Sequence, residues 1–418
     1  MTVEAPAAGR LVAAGNDSDG QVSGIVESAQ GRRITTVAAG YYHSLALTDD
    51  GTLLAAGRDE YGQVSGIVES AQGRRITAVA AGYDHSLAVT DGGTLLAAGR
   101  DEFGQVSGIV ESAQGRRITA VAAGAWHSLA VADDGTLLAA GGDGYGKVSG
   151  ILKAAQGHRI TTASASASHS LAVTDDGTLL AAGDDGYGQV SGILKAAQGH
   201  RITTASASAL HSLAVTDDGT LLAAGDDEYG QVSGILKAAQ GHRITTASAG
   251  TWYNSLAVTD DGTLLAAGDD RYGQMSGIVE ATRGHRTSTV AAGFFYSLAV
   301  VDDPGDCGPL KAHQICASFT KAQAPQDTYT LDFLATGTPE QDLTSGAPAR
   351  AVDTVSPEPT HIVVRRVDPP RDVATGSVYF THDPATGEIT IDDVSSELPD
   401  GLTYRRTDGN RFAFTWNR

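Results

Sequence analysis

The chain has 418 residues, of which 41% are hydrophobic, and carries a formal net charge of −20. This length and apolar content allow one large globular domain and a smaller one, while the acidity argues against a nucleic acid or an anionic membrane as partner, since both bind a basic surface. Two cysteines, Cys307 and Cys316, are too few for a disulfide framework or a structural zinc site, and we expect neither metal nor cofactor.

The N-terminal segment lacks the charged and then apolar run of a signal peptide. No window approaches the roughly 18 consecutive apolar residues of a transmembrane helix. We therefore expect a cytoplasmic, monomeric protein, with secretion as the alternative if the N-terminus is incomplete.

Internal repetition is the main feature of the first 300 or so residues. The phrase His-Ser-Leu-Ala recurs at a constant spacing of 42 residues and continues in altered form at Asn254 and Tyr296, which makes seven copies; the regular ones begin at His43, His85, His127, His169 and His211. Leu-Leu-Ala-Ala-Gly recurs in parallel, and a leading variant of it ends at Gly15. A fixed period of about 40 residues indicates a repeat architecture.

Each unit contains four short apolar runs separated by turn residues, which we name A to D. In the first full unit, A begins at Ile34, B at His43, C at Thr52 and D at Gln63, and Asp-Asp-Gly between B and C is a hairpin signal. Four strands in about 40 residues describe a β-propeller blade. Run A has the smallest side chains, so we place it innermost, where seven strands converge.

The two ends of the repeat array predict how the ring closes. The chain begins with C and D runs (11–14 and 21–25) that no A or B run precedes, and the array ends with A and B runs (288–292 and 297–301) that no C or D run follows. Together they make one blade, which removes two exposed sheet edges. The prediction is an all-β, seven-bladed propeller of four-stranded blades over residues 1–303.

Residues 304–418 lack the repeat. Residues 304–327 are predicted to be a linker, and 328–418 a small β-rich domain, best described as a sandwich, with strand-like runs at 329–334, 361–367, 377–381, 388–391 and 412–416. This module is either a second binding module or a spacer.

Ala-Ala-Gly-x-x-His-Ser-Leu-Ala-Leu-Thr-x-Asp-Gly followed by Gly-x-Asp-x-Tyr-Gly-Gln resembles the repeat of the regulator of chromosome condensation family. The short period and shared blade resemble most its bacterial members of the β-lactamase inhibitory protein II type. The resemblance covers about residues 10–303 and implies a non-catalytic propeller that binds protein. It departs from the family in strand C, where Ala-Ala-Gly replaces the usual Ala-Trp-Gly, so each blade lacks a large packing group.

In an antiparallel meander, the A–B and C–D turns share one end of the sheet, and B–C and D–A the other. The A–B turns vary most between units and include two of the three tryptophans. Exposed aromatics are frequent anchors of protein interfaces, and the resemblance to the inhibitors implies a binding face in the same turns. We predict a partner-binding set of Tyr41, Tyr42, Tyr83, Asp84, Trp126, Trp252, Tyr253, Phe294 and Phe295; the alternative is that these aromatics only cap the sheet ends.

The C–D turns repeat an Asp and usually an aromatic residue, as in Asp59 and Tyr61. Because they recur in every blade, we interpret them as structural: the Asp caps its turn and the ring packs beside the next blade. One Asp per blade is too dispersed for a calcium site.

The His-Ser pairs are not expected to form a catalytic or metal centre. They occupy equivalent places on different blades, and neighbours in a strand point to opposite faces. No glycine-rich loop has the spacing of a phosphate cradle. We therefore predict no enzyme but a protein-binding propeller that inhibits or scaffolds its partner; the alternative, a carbohydrate-binding propeller, would bind glycans at several equal sites.

Overall fold

The computed structural model describes residues 9–301 in full and, beyond them, nine strands between Gln314 and Asn417. The chain divides into two compact units, Met1–Val301 and Asp302–Arg418. Each is described by itself.

The first unit is a ring of seven blades, and each blade is an antiparallel sheet of three strands in the order A, B, C. The A strands of blades 1 to 7 are Ile34–Ala39, Ile76–Ala81, Ile118–Ala123, Ile160–Ala165, Ile202–Ala207, Ile244–Ala249 and Thr287–Ala292. The B strands are His43–Thr48, His85–Thr90, His127–Ala132, His169–Thr174, His211–Thr216, Asn254–Thr259 and Tyr296–Val301. The C strands of blades 1 to 6 are Leu53–Gly57, Leu95–Gly99, Leu137–Gly141, Leu179–Gly183, Leu221–Gly225 and Leu264–Gly268.

The seventh blade takes its C strand from the start of the chain. Arg10–Gly15 pairs antiparallel with Tyr296–Val301, with Leu11 opposite Val300. The prediction of a shared closing blade is therefore confirmed. The A strands line the central channel of about 340 Å³, so their predicted innermost position is confirmed as well.

The predicted fourth strand of each blade is wrong, because run D forms a short α-helix. The seven helices are Ser23–Ser28, Ser65–Ala71, Ser107–Ser112, Ser149–Ala154, Ser191–Ala196, Ser233–Ala238 and Ser276–Thr282. Their apolar residues have helical spacing: Val22, Ile25, Val26 and Ala29 follow the i, i+3, i+4, i+7 pattern of one helix face.

The repeated Asp of the C–D turn holds the start of each helix. In blade 1, Oδ1 of Asp59 accepts hydrogen bonds from the backbone N–H groups of Val64 at 2.8 Å and Ser65 at 2.9 Å. These are donors that a helix N-terminus otherwise leaves unpaired. Burial raises the pKa of Asp59, but the hydrogen bonds from Ser65 and Val64 outweigh it and leave the pKa below its usual value.

Each helix fills the space between its own blade and the next. Ile67 is fully buried and belongs to one cluster with Leu45 of blade 1 and Ile76 of blade 2. A Cβ atom on Gly66 would lie 3.2 Å from the Cβ of Ala98 in the next C strand. Because the helix backbone approaches so closely, a Trp in place of this alanine would push the helix away, which explains the departure from the family pattern.

The repeated histidines and serines meet across blade boundaries. Nε2 of each histidine lies 2.7–2.9 Å from the Ser Oγ of the next blade, in the pairs His43–Ser86, His85–Ser128, His127–Ser170, His169–Ser212 and His211–Ser255. Ser128 donates its hydroxyl proton to the carbonyl oxygen of Gln105, so His85 is the donor to Ser128. The expectation that neighbouring His and Ser face apart holds within a blade, but the closed ring pairs them between blades.

Position 254 interrupts this chain of hydrogen bonds. Asn254 replaces the sixth histidine, and its Nδ2 and the Oγ of Ser297 are both buried without a partner within residues 9–301. Tyr296 replaces the seventh and donates its hydroxyl to the backbone carbonyl of His43 at 2.6 Å. Blades 7 and 1 are thus joined by a side chain, while blades 6 and 7 lack this contact.

The opposite end of the ring carries the Asp-Asp-Gly hairpins and the Gly-Arg-Arg or Gly-His-Arg segments. The arginine that ends each segment faces the hairpin. In blade 4, Arg159 donates to the carbonyl oxygens of Asp133 and Asp134, both at 2.7 Å. These guanidinium groups are therefore engaged in local structure and do not make a basic patch.

The second unit contains two sheets. One has four strands in the spatial order Arg350–Thr354, Gln314–Ala322, Arg411–Asn417 and Leu402–Asp408, and the other has five in the order Gln341–Leu343, Thr328–Phe333, Thr360–Asp368, Arg371–His382 and Ile389–Ile391. Gln314–Ala322 lies in the predicted linker 304–327 and pairs in parallel with the last strand. That prediction is wrong for this part of the linker, because the segment is a strand of the sheet.

Candidate binding face

The A–B turns and the loops from strand C to the helix lie at the same end of the ring, as the meander rule predicts. In blade 1, His43 at the start of strand B is opposite Gly57 at the end of strand C. The N–H of Arg58 then donates to the carbonyl oxygen of Tyr42 at 2.9 Å. We call this end, formed by the A–B turns and the C–helix loops of all seven blades, the aromatic face.

The predicted A–B turn aromatics of blades 7, 1 and 2 are in direct contact. The ring of Tyr41 stacks on Phe294 with centroids 3.7 Å apart and lies 4.0 Å from Tyr83. Backbone hydrogen bonds fix this spacing, because the N–H of Tyr41 donates to the carbonyl of Gly82 at 3.1 Å in the next blade. The three rings therefore form one half-buried platform.

The platform extends in both directions around the ring. Trp126 stacks on Tyr83 at 5.2 Å, and Phe295 lies 4.0 Å from Phe294. Trp252 and Tyr253 of blade 6 lie 5.8 Å apart in a further group. All eight predicted aromatics are on this face, and they cover blades 6, 7, 1, 2 and 3.

Asp84, the remaining predicted site residue, differs from the aromatics. It is 4% exposed, and its carboxylate lies 3.5 Å from a guanidinium nitrogen of Arg100. Burial raises the pKa of Asp84 although Arg100 opposes the shift. The buried carboxylate holds Arg100 of the C–helix loop in place and offers little surface to a partner.

A second set of aromatics on this face was predicted to pack beside the neighbouring blades, and three of them do. The rings of Phe103, Tyr229 and Tyr272 lie 5.8, 4.7 and 5.0 Å from aromatic rings in the A–B turn of the next blade. We call the whole set the outer aromatics; its members are 39–74% exposed and comprise Tyr61, Phe103, Tyr145, Tyr187, Tyr229 and Tyr272. The packing is thus confirmed for Phe103, Tyr229 and Tyr272, while the exposure of all six was not predicted.

Two aromatic residues of the face adopt a backbone conformation that side chains disfavour. Phe295 has φ of 58° and Tyr145 has φ of 61°, and they are the only non-glycine residues with positive φ in residues 9–301. Such conformations typically cost about 1–3 kcal/mol and cluster at functional sites. Both place an aromatic side chain on the aromatic face.

Burial among other phenols shifts the acidity of the platform. Burial first, and the neighbouring Tyr83 and Tyr42 second, raise the pKa of Tyr41. Burial also raises the pKa of Tyr83 to about 12. These hydroxyls stay protonated at neutral pH, so the platform itself carries no negative charge.

Three arginines lie over rings of this face. The guanidinium of Arg58 is 4.0 Å from the Tyr42 centroid, that of Arg100 is 5.3 Å from Trp126, and that of Arg271 is 5.4 Å from Phe295. Each is also paired with a carboxylate, on Asp19, Glu102 and Asp269 respectively.

The described residues offer no metal centre. Among them, no three or more His, Cys, Asp or Glu side chains are grouped to hold an ion. The five repeated histidines are 0% exposed, so solvent does not reach their imidazoles. The loop Asp carboxylates bind helix N-termini through Oδ1, as in Asp185 with Val190, which weakens the case for a repeated sugar pocket beside each outer aromatic.

Six segments of the ring match a family model described as the regulator of chromosome condensation repeat, over residues 34–63, 76–105, 118–147, 160–189, 202–231 and 244–274. The ring is a regulator of chromosome condensation repeat propeller. Blade 7, assembled from the two ends of the unit, lies outside the matched segments.

Solved structures support this propeller fold. Prp20p from Saccharomyces cerevisiae, described with its binding properties to Gsp1p and histones, gives a TM-score of 0.59 at 17% identity and covers 72% of this chain and 92% of that one. The yeast protein in complex with Kap60 gives 0.58 at 16%, covering 72% and 90%. Human WBSCR16 gives 0.53 at 18%, covering 65% and 87%. At these identities the propeller is shared, and the partner is not thereby assigned.

The second unit matches a different family model, described as "Membrane binding", over residues 318–417. A curated relative, calcium-dependent cell adhesion molecule 1 of Dictyostelium discoideum, is 36% identical over 59 residues, which are 14% of this chain and 28% of that protein. Within the described residues, no helix is both long and apolar enough to cross a bilayer. The expectation of no membrane partner rested on the net charge and on the lack of a long apolar run, and the family match of the second unit weighs against it.

Proposed function

We propose that the propeller binds a protein partner through the aromatic face and acts without catalysis. The observation that carries this proposal is the continuous arc of stacked rings from Trp126 through Tyr83 and Tyr41 to Phe294. Support comes from structurally similar propellers, since Prp20p is described as binding Gsp1p and histones.

The arrangement suits an interface because the rings are already ordered. Stacking holds Tyr41 between Tyr83 and Phe294, so a partner need not immobilise these side chains when it docks. The outer aromatics add exposed apolar area around the platform. A fully buried aromatic anchor typically contributes ~2 kcal/mol or more to binding.

Trp126→Ala should weaken partner capture by the immobilised full-length protein about 30-fold, which corresponds to about 2 kcal/mol. Leu210→Ala is the matched control, because Leu210 holds the equivalent turn position in blade 5 and has no ring to contribute. The measurement is titration of the captured, identified partner, with thermal unfolding of each variant to verify the fold. Equal capture by Trp126→Ala and the unchanged protein would remove the aromatic face from the proposal.

We further infer that the second unit attaches the propeller to a lipid surface. Its support is the match of residues 318–417 to the membrane-binding family model. The full chain should co-sediment with lipid vesicles, and calcium should be varied because the curated relative is named as calcium-dependent. A matched chain ending at Val301 should stay in the supernatant. Equal sedimentation of both chains, or of neither, would contradict the inference.

A further inference from the structure

The three arginines of the aromatic face show how this surface binds a cation. Arg58 illustrates the pattern: its Nε lies 3.1 Å from Oδ1 of Asp19, and its guanidinium covers the ring of Tyr42 at 4.0 Å. Arg100 and Arg271 repeat the combination of carboxylate and ring in blades 2 and 6. In these blades the chain supplies its own cation.

The C–helix loops of blades 4 and 5 have the carboxylates and the rings but no Lys or Arg of their own. Arg271 of blade 6 lies 5.5 Å from the ring of Tyr229, and its ion pair is with Asp269 of its own loop. Directly after the glycine that ends strand C, where blades 1 and 2 have Arg58 and Arg100, the sequence has Asp184 and Asp226. No Lys or Arg occurs between residues 184 and 189 or between 226 and 231. Within residues 9–301, none of the cation–ring contacts involves Tyr187, whose side chain is 55% exposed.

The repeat places the side chains of this sector together. Tyr187 and Asp226 occupy the positions that Tyr61 and Arg100 hold three repeats earlier, where the guanidinium lies 5.1 Å from the ring centroid. The rings of Tyr229 and Tyr253 lie 4.7 Å apart. Burial first, then the electrostatic influence of Tyr229, Glu228, Asp226 and Tyr187, raises the pKa of Tyr253. The A–B turns of blades 4 and 5 end in Ser168 and Leu210, neither of which carries a ring.

We propose that Asp226, Glu228 and the ring of Tyr187 form a subsite for a lysine or arginine side chain of the protein partner. A carboxylate pair attracts the cation, and the exposed ring face adds a cation–π contact. This proposal rests on the proposed protein-binding function and specifies the partner's chemistry: a segment rich in basic residues, lying across blades 4 and 5 beside the aromatic arc.

Asp226 also has a structural contact, which decides the choice of variant. One of its oxygens accepts a hydrogen bond from Nε2 of Gln231 at 2.9 Å. Asp226→Asn retains a carbonyl oxygen for that bond and removes the charge. Glu228 is exposed, and Glu228→Gln removes its charge at nearly constant size.

The probe is fluorescein-labelled oligolysine, titrated into the full chain and followed by fluorescence anisotropy. The double variant Asp226→Asn, Glu228→Gln should bind about tenfold more weakly, and Tyr187→Leu several-fold more weakly. The matched control is Asp175→Asn, Asp217→Asn, which removes the same charge from exposed hairpins at the opposite end of the ring and should change binding less than about twofold.

Equal losses in the two double variants would overturn the subsite, because oligolysine would then respond only to net charge. An unchanged affinity in the Asp226→Asn, Glu228→Gln variant would overturn it too. The test of the subsite is independent of the test of the aromatic face. If Trp126→Ala abolishes partner capture while these charge variants bind oligolysine normally, the binding role of the aromatic face is supported and the cation subsite is contradicted.

Discussion

Lowering the pH from about 6.5, the ordinary pKa of histidine, toward about 4 should unfold the propeller in a steep transition. The cause is the set of five buried histidines that link neighbouring blades. Burial holds the pKa of His43, His127 and His211 at about 3 and that of His85 and His169 at about 4. The measurement is circular dichroism of the full chain, with chemical denaturation at each pH.

The loss of stability at low pH follows from the different proton uptake of the folded and the unfolded chain. In the unfolded chain each of these histidines takes up a proton as the pH falls through 6.5, whereas the folded ring excludes the proton until the pH reaches about 3 or 4. Between these limits the unfolding free energy falls by about 1.4 kcal/mol per pH unit for each histidine, and by about 7 kcal/mol per pH unit for five. A typical stability of about 5–15 kcal/mol is lost within about two pH units.

The carboxylates act in the same direction but at lower pH. Hydrogen bonds from Thr48 and Thr52 hold the pKa of Asp50 at about 2, below its ordinary value of 3.8. The folded ring therefore loses further stability as the pH falls from about 3.8 to about 2, a range that begins where the histidine range ends.

His85→Asn separates this linkage from a general loss of packing. Asparagine occupies the equivalent position in blade 6, at Asn254, so the ring accommodates it. The variant should be less stable at neutral pH, because a buried hydrogen bond to Ser128 is lost. The slope of unfolding free energy against pH should nevertheless be shallower by about one fifth. An unchanged slope would contradict the assignment of the acid transition to these side chains.

The sequence predicts the ring, its seven blades and its closure, because each depends on counting equivalent units. It does not predict the helix in run D. Six residues containing Ser and Gly are too short for a helical period to stand out, and both residues are poor helix formers. Packing decides the conformation: Ile67 is fully buried between two blades, and the carboxylate of Asp59 binds the first N–H groups.

The aromatic face, too, is predicted by the sequence only in part. Variation among the A–B turns identifies Tyr41, Tyr83 and Trp126, and the meander rule places them together. The same reasoning does not predict that the outer aromatics are exposed. A repeated residue serves the scaffold in most cases, and its exposure depends on how the C–helix loop projects from the ring. One sequence signal could have identified this loop as surface. The residue after the strand C glycine is arginine in two blades (Arg58 and Arg100) and aspartate in two others (Asp184 and Asp226).

The His-Ser contacts also lie beyond sequence reasoning. His85 and Ser86 are neighbours in one strand and point to opposite sides, so the sequence argues against their contact. The hydrogen bond instead joins His85 to Ser128, one repeat further on. Only the angle between adjacent blades, which the closed ring sets, brings these atoms together.

Removal of residues 1–31 should abolish the compact, cooperatively folded propeller. The deletion takes away strand Arg10–Gly15 and helix Ser23–Ser28, which complete blade 7. Leu11, at 4% exposure, and Val12, at 6%, pack into two different clusters on the two sides of that blade. With the buried Ile25 and the strand pairing, the loss is on the order of 10 kcal/mol, comparable to the whole stability of a typical domain.

A chain beginning at Gly9 is the matched control, because it retains the strand and the helix and should unfold at the same midpoint as the full chain. Size-exclusion chromatography and thermal unfolding measure both truncations. The aromatic face should be lost together with closure, since Tyr41 of blade 1 stacks on Phe294 of blade 7 only when the ends of the ring meet. A compact particle with an unchanged midpoint after removal of residues 1–31 would show that the shared blade does not hold the ring together.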